Sequence, residues 1–433
     1  MDKDVVAVVG FVVLFVLMLL RVPVGIAMGI VGVGGFAAVA NINSALGLLA
    51  GSPFSTVTDF NFSIIPMFIL MGAFASAAGL STDLFRASQS WLGHYRGGLA
   101  MSAIAACGGF AAINGSSVAT AATMTNVALP ELRKSGYDAG LSAGVIAAGG
   151  TLGIMIPPSV IFVLYGIMTQ TDIGKLFVAG IVPGLLGVAM YIVTIRLLAW
   201  HDPGKMPPGR RHSWAERLGS LKDIWETLLL FLFVIGGMYA GWFTVTEAAS
   251  MGAMGALVIG ILQRRLTGKL VMRSLVESLR TTAAIFMIVI GAYLFGYFLA
   301  ITQTTQKAIA LLVGLPIGAS GVLAIILVVY FILGAIMDEL AMILLTVPIV
   351  FPVMMTLGYD PVWFGVIIVM TCTLGLICPP VGMNVFVINS IARDISLGRI
   401  YRGVAPFIVT DIIRLSILCV FPALSLYLPR TMG

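Results

Sequence analysis

The sequence predicts an all-α polytopic membrane protein, built as an inverted repeat with two re-entrant hairpins and two broken helices. Three observations predict it. Of its 433 residues, 60% are hydrophobic and 10% charged, too few charges to cover that much apolar surface in water. A doubled proline interrupts an apolar stretch in GIMIPPSV (153–160) and again, 222 residues later, in GLICPPVG (375–382). Lys and Arg also segregate to one side once the apolar runs are laid out as crossings.

Ten runs are long enough to cross a hydrocarbon core of about 30 Å. They lie near 4–20, 24–40, 63–87, 144–168, 176–200, 225–241, 245–262, 280–300, 365–390 and 404–428. The first follows Met1-Asp2-Lys3-Asp4 with no small-residue cleavage site, so it is expected to be retained. Gly25 and Gly29 in the second are expected to permit close helix packing. Regions 98–135 and 319–357 each have a polar or small-residue break at the centre and are expected to enter and leave on the same side. Under this layout 18 Lys and Arg face one side and four the other, which makes the first side cytoplasmic and puts both termini outside.

Segment 201–224, rich in Pro, Gly and basic residues, is expected as a cytoplasmic linker whose charges meet anionic membrane lipid. The net charge of +6 is scattered over short loops, which gives no nucleic-acid surface. Cys107, Cys372, Cys378 and Cys419 lie in apolar segments without CxxC spacing, so neither a disulfide nor a metal site is expected. His94, His201 and His212 fall in or beside polar loops, and there is no GxSxG or HExxH, so no enzyme is expected.

Residues 136–173 align without a gap on 358–395, with 12 of 38 positions identical. Gly136-Tyr137-Asp138 falls on Gly358-Tyr359-Asp360, Thr151-Leu152-Gly153 on Thr373-Leu374-Gly375, and Pro157-Pro158 on Pro379-Pro380. An odd number of crossings separates the two units, so the second is inserted upside down. The expected organisation is a scaffold 1–62, a first repeat 63–200 (hairpin 98–135, broken helix 144–168), the linker, a scaffold 225–279 and a second repeat 280–433 (hairpin 319–357, broken helix 365–390). Inverted repeats with interrupted helices are the architecture of secondary transporters, with the substrate near the midplane.

The prolines supply the physical reason for the breaks. Pro157 and Pro158 lack the N–H groups that would bond the carbonyls of Gly153 and Ile154, and Pro379 and Pro380 do the same to Gly375 and Leu376. Freed carbonyls in hydrocarbon must face protein, water or an ion. A dehydrated Na⁺ suits such oxygens, and the half-helices beyond the prolines aim positive dipole ends at the same places. The hairpin tips AINGSSVAT (112–120) and GAIMDELAM (334–342) are expected opposite the breaks, with Ser116 and Ser117 in register with Asp338 and Glu339. Candidate Na⁺ ligands are Asn114, Ser116, Ser117, Thr151, Gly153, Met155 and Pro157 at the first site. Those at the second are Gly334, Met337, Asp338, Thr373, Gly375 and Cys378. Ser116, Ser159 and Asn384 are the candidate substrate contacts. Asp411 and Arg414, at i and i+3, are expected as a structural ion pair or a subunit contact.

LLRVPVGIAMG (19–29), IPMFILMG (65–72), NGSSVAT (114–120), GTLGIMIPPS (150–159) and CPPVGMNVFV (378–387) resemble the large membrane subunit of tripartite ATP-independent periplasmic (TRAP) transporters, over essentially the whole chain. That family usually has Thr where Cys378 precedes the second proline pair, which leaves the backbone carbonyl as the ligand there. The resemblance implies an elevator-type, Na⁺-driven importer of a small organic anion such as sialic acid or a C4-dicarboxylate, in a bacterial inner membrane. It needs no cofactor beyond the coupling ion. Its implied partners are a small four-helix membrane subunit and a periplasmic substrate-binding protein, and the helices at 98–168 and 319–390 would form the moving part. A single-component Na⁺/dicarboxylate or citrate carrier is the alternative.

Overall fold

The computed structural model describes residues 2–432, and every regular element among them is a helix. α1 (Lys3–Leu19) and α2 (Val24–Val39) occupy the first two expected crossings and part at Arg21, which takes a positive φ of 65°. α3 (Ile42–Thr58) is a helix that falls between the expected crossings; Asn41 starts it by accepting from the Ser44 N–H at 2.8 Å. The expected crossing 63–87 is two helices, α4 (Ile64–Ala77) and the amphipathic α5 (Leu80–Leu92). Gly79 separates them with a φ of 76°, a stop that the apolar Ala77-Ala78 conceals in the sequence.

α6 (Gly98–Asn114) and α7 (Ser117–Lys134) meet at Gly115. Asp138 caps α8 (Ala139–Met155), the proline pair ends it, and α9 (Val160–Thr169) and α10 (Ile173–His201) follow. The expected linker is pinned rather than free. Met206 O accepts from Gly97 N, Lys205 O from Asp138 N, and Gly209 N donates to Gly93 O. α11 (Trp214–Leu221) closes this segment with a capping box between Ser213 and Glu216.

α12 (Trp225–Tyr239) and α13 (Val245–Leu262) lead to α14 (Gly268–Ile301), a 34-residue helix that starts at 268 rather than 280. Arg273, Glu277 and Arg280 lower its hydropathy, but Arg273 and Glu277 pair at 2.8 Å with the i, i+4 spacing of a helix. α15 (Thr304–Val313), α16 (Gly318–Gly334), α17 (Glu339–Thr356), α18 (Pro361–Gly375), α19 (Met383–Ile391) and α20 (Leu397–Val420) follow. The last expected crossing, 404–428, stops at Val420 because Pro422 cannot continue it, and a short α21 (Ala423–Leu426) remains.

Adding 222 to the bounds of α7 gives 339–356, the bounds of α17. The same shift carries α6, α8, α9 and α10 to within a few residues of α16, α18, α19 and α20. Caps correspond too: Ser116 and Asp338, Asp138 and Asp360, with Gly136 and Gly358 at φ 80° and 83°. α8 and α18 are buried on nearly every face and form the centre of the molecule. Seven helical segments are long and apolar enough to cross a membrane, and exposed Val, Leu and Ile on α1, α12, α13 and α16 offer lipid contact. Close packing of α2 on α14 uses Gly25, where a methyl would lie 2.7 Å from Ile288 Cα; at Gly29 the nearest atom is 3.7 Å away. Ion pairs Arg133–Asp394 (2.9 Å) and Arg399–Asp138 (3.0 Å) tie the repeats together at their edges.

Candidate functional site

The first break packs directly on the first tip. A methyl at Gly153 would lie 2.5 Å from the Ser116 carbonyl oxygen and 2.8 Å from Thr120 Oγ1, so only glycine allows the approach. Pro157 and Pro158 stand where the partners of the Gly153 and Ile154 carbonyls would be, and those two carbonyls accept no hydrogen bond among the described residues. The tip is held by its own side chains. Ser116 caps α7 by accepting from Ala119 N at 3.3 Å, and its carbonyl accepts from Thr120 Oγ1 at 2.8 Å and Asn114 Nδ2 at 3.4 Å. Met155 lies outside this contact: its carbonyl is turned to α10, where a methyl on Gly180 would lie 2.5 Å from it.

The second break is built alike but satisfied differently. A methyl at Gly375 would lie 2.5 Å from Gly334 Cα, and Val381 N donates to Ala335 O at 3.2 Å, so tip and break again touch. Here the carbonyls expected to be free are taken: Gly375 O accepts from Cys378 N at 3.3 Å and Leu376 O from Asn384 N at 3.1 Å. Cys378 N closes a turn onto Gly375 O before the prolines, and beyond them Gly382, at φ 54°, bends the chain so that Asn384 N returns to Leu376 O. Met337 precedes the cap of α17 and is buried. Asp338 is the cap itself, accepting from Leu340 N at 3.1 Å and Ala341 N at 3.4 Å. Both proline pairs, Pro157–Pro158 and Pro379–Pro380, contain a cis peptide bond.

A cavity of 480 Å³ opens between the first tip, α4, α9, α14 and the start of α17. Asn114, Ser116 and Glu339 line it, with Arg273 and Glu277 of α14 on the opposite wall. Of the three expected substrate contacts only Ser116 reaches it. Ser159 is fully buried as the cap of α9, and Asn384 is fully buried against the first repeat. Asn384 Nδ2 donates to Ser117 Oγ at 2.8 Å and to Ala147 O at 3.1 Å, so it locks α19 of one repeat onto α7 and α8 of the other. Glu339, the second acidic residue of its tip, is buried, and its Oε2 has no partner among the described residues. The repeat register sets it against Ser117 in the other tip.

Thr151 and Thr373 point away from the tips. Thr151 Oγ1 donates to Ala148 O at 2.7 Å and lies 3.1 Å from the Tyr191 hydroxyl, which donates to Asp411 at 2.6 Å. Thr373 Oγ1 donates to Met370 O at 2.6 Å, and the Met370 thioether receives Arg414 Nε at 3.0 Å. Asp411 and Arg414, 3.1 Å apart and wholly buried, therefore form an ion pair set between the two broken helices. Tyr191 could not be foreseen, because nothing in the sequence links it to Asp411.

The sequence profile of the tripartite ATP-independent periplasmic transporter, DctM component, matches residues 11–424. The chain belongs to that family. Among curated relatives of this TRAP large permease, a C4-dicarboxylate TRAP transporter large permease protein of Pseudomonas aeruginosa is 37% identical over 386 residues, covering 89% of this chain and 90% of the relative. A sialic acid TRAP transporter large permease protein of Vibrio cholerae is 32% identical over 376 residues, covering 86% and 87%. The crystal structure of the Alcanivorax borkumensis YdaH transporter shares the fold, with a TM-score of 0.64, 14% identity and 89% of each chain covered. The permease is thus a membrane transport protein and not an enzyme.

Proposed function

We propose that this TRAP permease subunit imports a small organic anion by Na⁺ symport across the bacterial inner membrane, with both termini periplasmic. The observation that carries the reading is the pair of mirrored contacts in which a hairpin tip closes on a broken helix at a glycine, Gly153 and Gly375. Oxygen ligands without donors suit a dehydrated monovalent cation, and the unpaired Gly153 and Ile154 carbonyls make the first break the stronger ion site. At the second, the Asp338 and Glu339 carboxyls supply the charge that the engaged carbonyls cannot.

The substrate lies in the 480 Å³ cavity beside Ser116. C4-dicarboxylates and sialic acid, named for the relatives above, are carboxylate anions, and a carboxylate beside Glu339 requires bound Na⁺ to offset the repulsion. Binding is therefore ordered, with ion before anion. The hairpins and broken helices move as an elevator against the outer helices. Tripartite membership favours an anion delivered by a periplasmic binding protein, with a small four-helix membrane subunit at the scaffold, over a single-component carrier.

Uptake in proteoliposomes holding the permease, its small subunit and the binding protein tests the coupling. An inward Na⁺ gradient drives accumulation, and a pH gradient with Na⁺ excluded does not. Accumulation on the pH gradient alone would overturn the coupling.

A further inference from the structure

Where α10 reaches the side assigned as cytoplasmic, it and the loop between α5 and α6 border a second cavity, of 680 Å³, which shares no lining residue with the one beside Ser116. Arg96, Arg196, His94 and Tyr95 make its polar wall, and no carboxylate lines it. Neither Arg96 nor Arg196 forms a salt bridge among the described residues. Aromatic rings hold the charge in place of an anion. The Arg196 guanidinium lies over the Tyr95 ring at 5.5 Å, and Tyr95 packs on His94 with centroids 4.0 Å apart. Desolvation, and then the charges of Arg217 and Arg211, hold His94 below its ordinary pKa.

The apolar wall decides what the positive charge meets. Val193, Leu197 and Trp200 follow one another at i, i+4 and i+7 along one stripe of α10 and are 57%, 58% and 81% exposed. A stripe of that kind ending in tryptophan belongs against lipid, with the indole at headgroup level. Arg196 sits on the same turn as Leu197 and Trp200, so its stem can lie along the stripe while its head reaches phosphate.

We propose that this cavity binds the phosphate headgroup of an anionic membrane phospholipid, with Arg96 and Arg196 on the phosphate and the Val193–Trp200 stripe along an acyl chain. Phosphate is common to the lipid and to a free ion. The apolar stripe selects the lipid, because a free ion gains nothing from it. The site does not depend on the Na⁺ reading.

The test reconstitutes the full chain in nanodiscs of mixed phosphatidylglycerol and phosphatidylcholine. Native mass spectrometry then counts the lipid retained after detergent extraction. Wild type retains phosphatidylglycerol selectively. The Arg96→Gln/Arg196→Gln double variant loses that selectivity by about 30-fold, from two charges at a lipid surface. Trp200→Ala keeps both charges and shows a smaller loss. Arg264→Gln, a basic change outside the cavity, matches wild type. Selectivity retained in the double variant, or lost equally in Arg264→Gln, overturns the proposal. Displacement of the lipid by inorganic phosphate also overturns it, in favour of a free-ion site.

Discussion

Asp411→Asn leaves Arg414 as an uncompensated charge at the centre of the protein. Both partners are wholly buried, with Nη2 3.1 Å from Oδ1. Asparagine keeps the shape and can still accept the Tyr191 hydroxyl, so the substitution removes one charge and little else. The guanidinium is then left with the Met370 thioether at 3.0 Å, a weak acceptor, and the Tyr191 ring at 5.5 Å. Both contacts exist already in the wild type and offset nothing new. Removing one partner of a buried pair costs about 3–5 kcal/mol, and that is the loss expected here. Arg414→Met leaves a buried carboxylate with Tyr191 alone and should lose a similar amount. The double variant Asp411→Leu/Arg414→Met removes both charges and should return close to wild-type stability. Chemical unfolding in mixed micelles, followed by tryptophan fluorescence, measures all three. Trp363, whose indole donates to Leu418 O on α20 at 3.0 Å, reports from nearby. Single variants within about 0.5 kcal/mol of wild type, or a double variant as unstable as the sum of the singles, refute the reasoning.

Gly153→Ala places a methyl 2.5 Å from a backbone carbonyl that has no room to retreat, so Na⁺-dependent uptake should fall by an order of magnitude or more at normal expression. Uptake at the wild-type rate would separate this contact from the site. Asp338→Asn keeps the helix cap, since asparagine caps as well as aspartate, while removing the charge. Its half-saturating Na⁺ should therefore rise more than that of Ser116→Ala, and equal curves would move the second site elsewhere. Burial works to raise the Asp138 carboxyl, but the Leu141 N–H and the Arg399 guanidinium outweigh it and hold the carboxyl below its usual value. The Asp138 contribution is thus complete above about pH 4 and lost as pH falls through the depressed value. Arg399→Gln should cost up to about 1 kcal/mol at pH 7 and progressively less as pH falls through the depressed value, as read by unfolding across that range.

The breaks were legible because proline removes a backbone donor wherever it stands, and the repeat was legible because its matches fall on turn formers such as Gly136 and Asp138. α14 was cut short for the opposite reason: Arg273 and Glu277 read as polar residues in a hydropathy window although their spacing is helical. Gly79 was hidden by apolar neighbours. The unequal state of the two breaks lay beyond sequence, since proline counting sees neither the turn from Cys378 N to Gly375 O nor the bend at Gly382 that brings Asn384 N to Leu376 O. Asn384 was read as a substrate contact because it is polar and near the second proline pair. Its partners, Ser117 and Ala147, come from the other repeat and are set by tertiary packing alone.

Equilibrium binding of ²²Na⁺ to the purified permease, with K⁺ as the balancing ion, tests most directly whether the two tip-and-break contacts are ion sites. Saturable Na⁺ binding that weakens in Gly153→Ala and again in Asp338→Asn, with both variants folded, is the predicted result. Absence of saturable binding, or the wild-type isotherm in both variants, would contradict it.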